Sequence, residues 1–381
     1  MNDLAIAGIG LHPFGRHDGK SEADMAVFAI REALADAGLG WNDIQYACGA
    51  SKDGRFADSL VSRLGLRSIP FTNVSGGCAT GGSALINACM SIQSGLADIA
   101  LVVGYDKHLR GMFGLNAQEW NVDNWYGEIG FLTTVQFFAM KTQRYMHDYG
   151  ISNDSLVKVA MKAYHNGSLN PKAWRRSEMD YETIANSRAI NLPFRQYMVC
   201  SPSEGAAAIV ICKGDVARRL TRKPVYIKGY ALRTRQFGSL EVFSPSKPLE
   251  NAPSPTTIAA KAACDMAGIG PDEIQIAQVQ DSEPGNEIMH MAETGLCSNG
   301  EQERLIQDGS TGIDGFLPIN TDGGLMANGE PIGASALRQV YETCLQLRGD
   351  ATGHQVANSP KNGLCQVYGA PGVSSVVILQ R

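Results

Sequence analysis

Apolar and small residues recur at helical spacing in two stretches of the chain that end alike. The first stretch, residues 23–37, leads into A-G-L-G-W-N-D-I-Q at 37–45, and the second, residues 256–267, leads into A-G-I-G-P-D-E-I-Q at 267–275. A glycine directly after an apolar periodic run is typical of a helix C-terminus, and a short apolar run follows each copy. The pattern predicts one unit twice: an amphipathic helix, a glycine stop and a strand.

Two further correspondences follow in the same order along the chain. The tetrapeptide G-S-A-L at 82–85, which begins a helix-forming run over 84–95, is echoed by A-S-A-L at 334–337. The strand-like G-A-A-A-I-V-I at 205–211 is echoed by G-V-S-S-V-V-I at 372–378. Three ordered echoes predict two similar α/β halves that pack as a pseudo-dimer. We expect the halves at residues 1–215 and 222–381, with a less regular lid or loop region inserted over about 105–197.

The composition excludes several classes of protein. The 381 residues are 44% hydrophobic and 19% charged, with a net charge of −5, which argues against a nucleic-acid surface. No apolar stretch approaches the roughly 20 residues that span a bilayer, and the N-terminus lacks a signal-peptide pattern. Nine cysteines without a C-x-x-C pair predict neither a disulfide framework nor a zinc site. We therefore expect a cytoplasmic protein without a structural metal.

The strongest chemical signal is a cysteine between glycine pairs, in N-V-S-G-G-C-A-T-G-G-S-A-L at residues 73–85. Cys78 lies where a strand should give way to a helix, and the positive end of a helix dipole favours a thiolate. Glycines allow a sharp turn and let a carbonyl group approach amide N–H groups. Two interpretations stay open at this point: Cys78 is a nucleophile, or it is a small buried residue as free cysteines commonly are.

At these residues the chain resembles the thiolase superfamily, and in particular its sterol-carrier-protein-x type, over nearly its whole length. The run at 73–85 is similar to N-x-N-N-N-C-[AS]-T-G-S-x-A-L, in which the cysteine is the nucleophile. Residues 193–208 resemble P-L-x(n)-C-x-x-x-D-G-A-A-A, and residues 320–336 resemble N-P-x-G-G-x-x-x-x-G-H-P-x-G-A-[ST]-G. The resemblance implies a duplicated five-layered α-β-α-β-α fold with an inserted loop domain, and Cys78 as the nucleophile.

The sequence departs from the family at the positions of its histidines. Glu330 stands where the family has the Gly-His-Pro histidine that activates the nucleophile. The stretch Gln280-Asp281-Ser282-Glu283 resembles His-Asp-Cys-Phe, so Ser282 replaces a cysteine that moves protons. Gln280 keeps an N–H donor for an enolate oxygen, and a desolvated Glu330 can act as the acid/base partner of Cys78. The alternative is a degenerate site on an idle paralogue.

Further site residues are expected near Cys78. In the family a C-terminal glycine-rich loop supplies an oxyanion amide, and the resemblance of residues 365–373 assigns it to Gly372, beside the amide of Cys78. Tyr368 in the same loop is either a proton donor or a packing residue. The inserted region contributes three candidates for substrate binding, with a turn or a solvated insertion as the alternative: His108, Arg175 and Arg176.

Three functions stay open. The resemblance implies thiolysis of a bulky 3-oxoacyl-CoA (branched, aromatic-acyl or sterol-type) through a Cys78 acyl-enzyme, with coenzyme A as co-substrate and no covalently bound cofactor. The second function is a retro-aldol lyase on a 3-hydroxyacyl-CoA, and the third is a non-catalytic acyl-CoA or lipid-binding subunit. The resemblance also implies a homodimer core, joined by a small OB-fold and zinc-ribbon subunit in a heterotetramer. Neither nucleic acid nor a membrane is expected as a partner.

Overall fold

The computed structural model describes residues 3–51, 58–114, 122–221, 223–242, 249 and 252–381. Residue 222, the expected start of the second half, and residues 115–121 of the inserted region lie outside these ranges. The strands are β1 (Leu4–Gly15), β2 (Tyr46–Ala50), β3 (Phe71–Val74), β4 (Ile99–Lys107), β5 (Ala189–Asn191), β6 (Phe194–Arg195), β7 (Glu204–Lys213), β8 (Val225–Thr234), β9 (Ile276–Gln278), β10 (Asn362–Gly369) and β11 (Val373–Gln380). The helices are α1 (Glu22–Ala37), α2 (Asp58–Leu64), α3 (Thr80–Gln93), α4 (Asn124–Glu128), α5 (Thr134–Tyr149), α6 (Asn153–Leu169), α7 (Tyr181–Ala185), α8 (Gly214–Leu220), α9 (Pro255–Ala267), α10 (Pro284–Glu293), α11 (Glu301–Gln307), α12 (Gly324–Asn328) and α13 (Ile332–Arg348). Across the described ranges, no helix has both the length and the apolarity to cross a bilayer.

Most strands form one hydrogen-bonded array in the order β3-β2-β4-β7-β1-β8-β11-β10-β9. In the first half, β3, β2 and β4 run parallel, and β7 is antiparallel to both β4 and β1. In the second half, β9 and β10 run parallel, and β11 is antiparallel to both β10 and β8. The two half-sheets meet where β1 pairs with β8, with Leu4 opposite Ile227. Both half-sheets therefore have the same pattern of strand directions.

The internal repeat predicted from the sequence is present. Helices α1 and α9 both end at a left-handed glycine, Gly38 with φ 66° and Gly268 with φ 72°. A 3₁₀ turn follows each helix, Trp41–Asp43 and Pro271–Glu273, and leads to β2 and β9. The remaining echoes lie in α3 and α13 and in β7 and β11. The prediction of two similar α/β halves is therefore confirmed.

Five layers follow from the packing of helices on the half-sheets. Helices α3 and α13 contact each other, and both contact strands of the two half-sheets. Leu85 and Ile92 of α3 share one buried core with Leu337 and Val340 of α13. Helix α1 covers the other face of the first half-sheet, and α9 covers that of the second. The order is α-β-α-β-α, as predicted, with α3 and α13 as the central layer.

Glycines bring the first turn of α13 into direct contact with the first half. A Cβ atom on Gly104 of β4 would lie 2.0 Å from the carbonyl oxygen of Gly333, and one on Gly81 of α3 would lie 2.7 Å from the same oxygen. Heavy atoms cannot approach so closely, so both positions require glycine. The segment just before α13, which contains Glu330, is thereby held beside the beginning of α3.

The region expected to be less regular contains two long helices, α5 and α6, of 16 and 17 residues. Helix α5 ends at left-handed Gly150, and the side chain of Ser152 caps α6. Aromatic and β-branched residues in α5 have low helix propensity, so its local sequence favours a helix only weakly. The helix is stabilised by packing on the second half, where α5 contacts α10 and α6 contacts α10 and α12.

Candidate active site

A cavity opens where α3, α13 and the turn after β10 meet, and five predicted site residues line it. They come from both halves of the chain: Cys78, Gln280, Ser282, Glu330 and Tyr368. Its apolar wall is formed largely by Met112, Phe113, Val135, Phe138, Val199 and Val242. The cavity volume is about 30 Å³, above the roughly 10–15 Å³ that suffices to hold one water molecule. The structure therefore brings the predicted acid/base groups and the cysteine into one narrow, largely apolar space.

The turn that carries Cys78 is held by close contact with the second half. A Cβ atom on Gly77, whose φ is 57°, would lie 2.5 Å from the carbonyl oxygen and 3.0 Å from the amide nitrogen of Ala370. Gly76 donates its amide N–H to Thr80 Oγ1 at 2.9 Å. Because α3 begins at Thr80, Cys78 lies at the N-terminal end of that helix, as the sequence predicts. This position favours the thiolate form of a cysteine.

Glu330 is the acidic group beside the nucleophile. Its side chain is hydrogen-bonded to Cys78, and the residue is only 1% exposed. Gln280 Nε2 donates to Glu330 Oε1 at 3.4 Å, and the Cys200 thiol lies 3.9 Å from Glu330 Oε2. Burial raises the pKa of Glu330, and the hydrogen bond from Cys78 partly opposes that shift. A carboxyl group with a raised pKa is suited to exchange protons with a thiol.

Ser282 is paired with a second buried carboxyl group. Its hydroxyl donates to Glu283 Oε2 at 2.6 Å, and Asn286 Nδ2 donates to both residues at 2.7 and 2.9 Å. Burial raises the pKa of Glu283 to about 8, and the negative charge of Glu330 adds to the shift. Glu283 therefore keeps its proton to a higher pH than an exposed glutamate does, and the Ser282 hydroxyl is already hydrogen-bonded to it.

Gln280 and Tyr368 are joined through the backbone. The Tyr368 N–H donates to Gln280 Oε1 at 2.6 Å, which directs the amide nitrogen of Gln280 towards Glu330. The Tyr368 hydroxyl donates to Glu241 Oε2 at 2.7 Å and accepts from the Val242 N–H at 3.3 Å. Of the two interpretations of Tyr368, these contacts favour packing and positioning, because the hydroxyl already has both partners.

Tyr368→Phe tests that interpretation. The variant keeps the backbone N–H that holds Gln280 but removes the donor to Glu241, whose carboxyl is buried. We expect the free energy of unfolding to fall by about 1–3 kcal/mol, the cost of an unsatisfied buried polar group, while kcat stays within about threefold of wild type. Urea denaturation and steady-state kinetics measure the two effects. A large loss of kcat at unchanged stability would instead make the hydroxyl a proton donor to the substrate.

The oxyanion amide expected at Gly372 is engaged elsewhere. Its N–H donates to the carbonyl oxygen of Gly369 at 2.8 Å, closing a turn, and Gly372 is not among the residues that line the cavity. Ala370, two positions earlier, lines the cavity and lies against the Cys78 turn. The tight turn of residues 369–372 therefore places Ala370, rather than Gly372, against the turn that carries the cysteine.

The three substrate-binding candidates of the inserted region do not line the cavity. His108 accepts a hydrogen bond at Nε2 from the first amide of α13, Ile332 N–H, at 3.1 Å. Arg175 donates to Ser201 Oγ at 2.6 Å and to the carbonyl oxygen of Met326. Arg176 is exposed. His108 and Arg175 hold the segments that carry Glu330 and Cys200, so their contacts within the described chain are structural.

Two cavity residues, Cys200 and Glu283, are absent from the sequence-based list of site residues. Cys200 is the cysteine of the motif at 193–208, and Glu283 ends the Gln280–Glu283 stretch, so each belonged to a recognised motif. Their positions in those two motifs are the sequence signal that could have identified them as site residues. Within the ranges that the structure describes, no group of three or more His, Cys, Asp or Glu residues could hold a metal ion.

A duplicated five-layered α/β fold with a cysteine at the start of a central helix defines the thiolase class of acyltransferases. Residues 5–179 match the family described as Thiolase, N-terminal domain, and residues 246–381 match Thiolase C-terminal domain-like. Acetyl-CoA acetyltransferase of Methanothermobacter thermautotrophicus is 32% identical over 390 residues, covering 100% of both chains. The chain therefore belongs to the thiolase family and is an acyltransferase of the thiolase type.

Other relatives extend this comparison. The benzoylsuccinyl-CoA thiolase subunit BbsB of Thauera aromatica is 29% identical, covering 96% of this chain and 94% of its own. The solved structure entitled Ltp2-ChsH2(DUF35) aldolase has a TM-score of 0.89 at 26% identity, covering 100% of this chain and 98% of that chain. Human mitochondrial 3-ketoacyl-CoA thiolase, with a TM-score of 0.70 at 15% identity over 100% and 98% of the two chains, shares the fold. Thiolases use coenzyme A as a co-substrate.

Proposed function

We propose that this thiolase cleaves a 3-oxoacyl-CoA by thiolysis through an acyl-enzyme on Cys78. The observation that carries the proposal is that Cys78, Glu330 and Gln280 line one cavity, with the Glu330 carboxyl in contact with both other side chains. A nucleophile beside a base, with a donor for the leaving enolate nearby, is the arrangement that carbon–carbon cleavage at a 3-oxo group needs.

The first half-reaction begins with proton transfer from Cys78 to Glu330. The raised pKa of Glu330 makes its carboxylate a stronger base than an exposed one, and the end of α3 favours the thiolate. The thiolate attacks the 3-oxo carbon, and the backbone amides of Cys78 and Ala370 are our candidates for the oxyanion donors. When the bond to the α-carbon breaks, Gln280 Nε2 donates to the enolate oxygen. The proton that Glu330 took from Cys78 is passed on to the α-carbon, so the shorter acyl-CoA leaves and Glu330 is again a carboxylate.

The second half-reaction transfers the acyl group to coenzyme A. Glu330 accepts the proton of the incoming thiol and returns it to Cys78, so one carboxyl group serves both steps. The expectation of a bulky acyl group rests on the resemblance alone.

A second candidate reaction is retro-aldol cleavage of a 3-hydroxyacyl-CoA at the same cavity. It is favoured by the similarity over the full chain to a structure entitled an aldolase. Two buried carboxyl groups with raised pKa, Glu283 and Glu330, also suit a reaction that needs a base for the 3-hydroxyl proton. The cysteine at the start of α3 has no role in that reaction, so thiolysis is the better supported proposal.

The two reactions are separated by their need for free coenzyme A. Thiolysis of a 3-oxoacyl-CoA is expected to leave the mass of the acyl group on the peptide that contains Cys78 and to turn over only when free coenzyme A is added. Mass spectrometry of the digested protein, with and without coenzyme A, measures both. Cleavage of a 3-hydroxyacyl-CoA without free coenzyme A, and with no mass on that peptide, would favour the lyase. Absence of both reactions would favour a binding subunit.

We also propose a homodimer core that binds a small OB-fold and zinc-ribbon subunit, as a heterotetramer in the cytoplasm. The support is that one similar structure is a complex entitled Ltp2-ChsH2(DUF35) and that the relative BbsB is named a subunit. The nine cysteines include no C-x-x-C pair, which is consistent with a reducing compartment. Full thiolysis by the purified chain alone would contradict the need for that subunit.

A further inference from the structure

A second thiol lies in the same cavity as Cys78. Cys200 precedes β7, is 8% exposed, and lines the cavity together with Cys78, Gln280 and Glu330. Its N–H donates to the carbonyl oxygen of Ser282 at 2.8 Å, and its sulfur lies 3.9 Å from Glu330 Oε2. The Glu330 carboxyl therefore interacts with two thiols, one from each of two separate segments of the first half.

The hydroxyl groups of Ser282 and Tyr368 already have partners, and the thiol of Cys365 lies outside the cavity. The Ser282 hydroxyl donates to Glu283, and the Tyr368 hydroxyl donates to Glu241. Cys365 lies 3.2 Å from Thr343 Oγ1 and does not line the cavity. Cys200 thus combines three properties: it lines the cavity, carries a transferable proton, and neighbours a carboxyl group that can replace that proton.

Carbon–carbon cleavage requires such a proton. When the bond between the 3-oxo carbon and the α-carbon breaks, the electron pair remains on the departing enolate, and the α-carbon must be protonated before the shorter acyl-CoA can leave. Glu330 has by then taken the proton of Cys78. A carboxyl group and a thiol in contact can pass that proton onward, because the thiol gives its own proton to carbon and recovers one from the carboxyl group.

We propose that Cys200 is the catalytic acid that protonates the α-carbon of the departing enolate and that Glu330 then reprotonates Cys200. This assignment rests on the proposed thiolysis. The protons balance, because the one that leaves Cys78 goes to Glu330, the Cys200 proton goes to carbon, and the Glu330 proton restores Cys200. After the cleavage step, Cys78 holds the acyl group and Glu330 is again a carboxylate that can accept the proton of coenzyme A.

The environment of Cys200 fits this role. Burial and the nearby carboxyl groups of Glu330 and Glu283 raise the pKa of Cys200 well above that of an ordinary thiol. The group therefore keeps its proton in the resting enzyme and releases it only to a strong base such as an enolate carbon. In the reverse direction, its thiolate is a stronger base for removing an α-proton.

Exchange of α-hydrogens with deuterium tests the assignment apart from thiolysis. Acylation of Cys78 by acetyl-CoA involves no proton transfer at carbon. Exchange of the acetyl-CoA methyl hydrogens in D₂O does, because the thiolate of Cys200 must first remove one of them. We expect Cys200→Ala and Cys200→Ser to slow that exchange by about 10²-fold or more. Acylation of Cys78, measured by mass spectrometry on the same samples, should stay within about threefold of wild type. Cys200→Ser keeps the size of the side chain, so it controls for a packing defect.

Cys365→Ala is the matched control, because it removes an equally buried thiol outside the cavity. We expect it to exchange and acylate as wild type does. A Cys200 variant that exchanges at the wild-type rate while Cys78 is acylated would overturn the role of Cys200 and leave thiolysis intact. A wild-type protein that is acylated on Cys78 neither by acetyl-CoA nor by a 3-oxoacyl-CoA would instead contradict thiolysis, so the two failures differ in the measured signal.

Discussion

Cys78→Ala is expected to lower kcat for thiolysis by on the order of 10⁴-fold or more, because removing the nucleophile eliminates the covalent route. The side chain lost is small and only half-buried, so the variant should fold. Neither Glu330 nor Gln280 can replace the sulfur, since neither forms a thioester. Steady-state assays with a 3-oxoacyl-CoA and free coenzyme A measure the loss, and circular dichroism verifies the fold.

Cys89→Ala is the control for this variant. Cys89 lies on the same helix, is fully buried and does not line the cavity. Its replacement should lower stability through lost packing but leave kcat unchanged. Retention of most thiolysis by Cys78→Ala would mean that carbon–carbon cleavage does not pass through this cysteine, and the retro-aldol reaction would then be the better account.

Glu330→Gln is expected to lower kcat by about 10²–10⁴-fold, which is the usual contribution of a general acid or base to the rate. The amide has nearly the same size as the carboxyl and can still hydrogen-bond Gln280, but it cannot accept the proton of Cys78. Acylation of Cys78 should therefore slow together with turnover. A variant with normal acylation would contradict the acid/base role of Glu330.

The pH dependence gives an independent check. Because the pKa of Glu330 is raised by burial, its carboxylate becomes available only above the ordinary range for glutamate. The acidic limb of kcat/KM in the wild type should therefore lie above that range, and it should vanish in Glu330→Gln.

The stability that Glu330 contributes is greatest below its unfolded-state pKa and falls as the pH rises through the raised folded-state value. Glu330→Gln should therefore be more stable than wild type in urea at pH 8.

The sequence predicts those parts of the fold that are recorded locally. Glycine stops after apolar helices, and the glycine-rich turn before a helix-forming run, identify α1, α9 and the position of Cys78 without any tertiary information. Gln280 and Glu330, which stand at the positions of the family's histidines, are also found from the sequence, because the motifs around them resemble those of the family. These features depend on neighbours within a few residues, so a pattern along the chain is sufficient to find them.

Three-dimensional contacts explain what the sequence does not predict. Cys200 joins the site because its backbone pairs with the distant Ser282. Glu283 and Gly372 depend on the exact geometry of local turns: Ser282 and Asn286 hold the Glu283 carboxyl, and the Gly372 N–H turns back to Gly369. Helix α5 depends on packing against α10 rather than on its own propensity. Each of these facts becomes visible only in the folded structure.

The two central helices, α3 and α13, carry the nucleophile and its acidic partner at equivalent positions of the internal repeat. Cys78 lies two positions before the first residue of α3, and Glu330 lies two positions before the first residue of α13, so the two groups occupy the same place in the repeat. In an ancestor made of two identical half-length chains, this position would have faced its own copy across the symmetry axis. Such an ancestor must carry the same side chain twice. A single chain that contains both halves is free of that constraint, and its two equivalent positions carry a thiol and a carboxyl group.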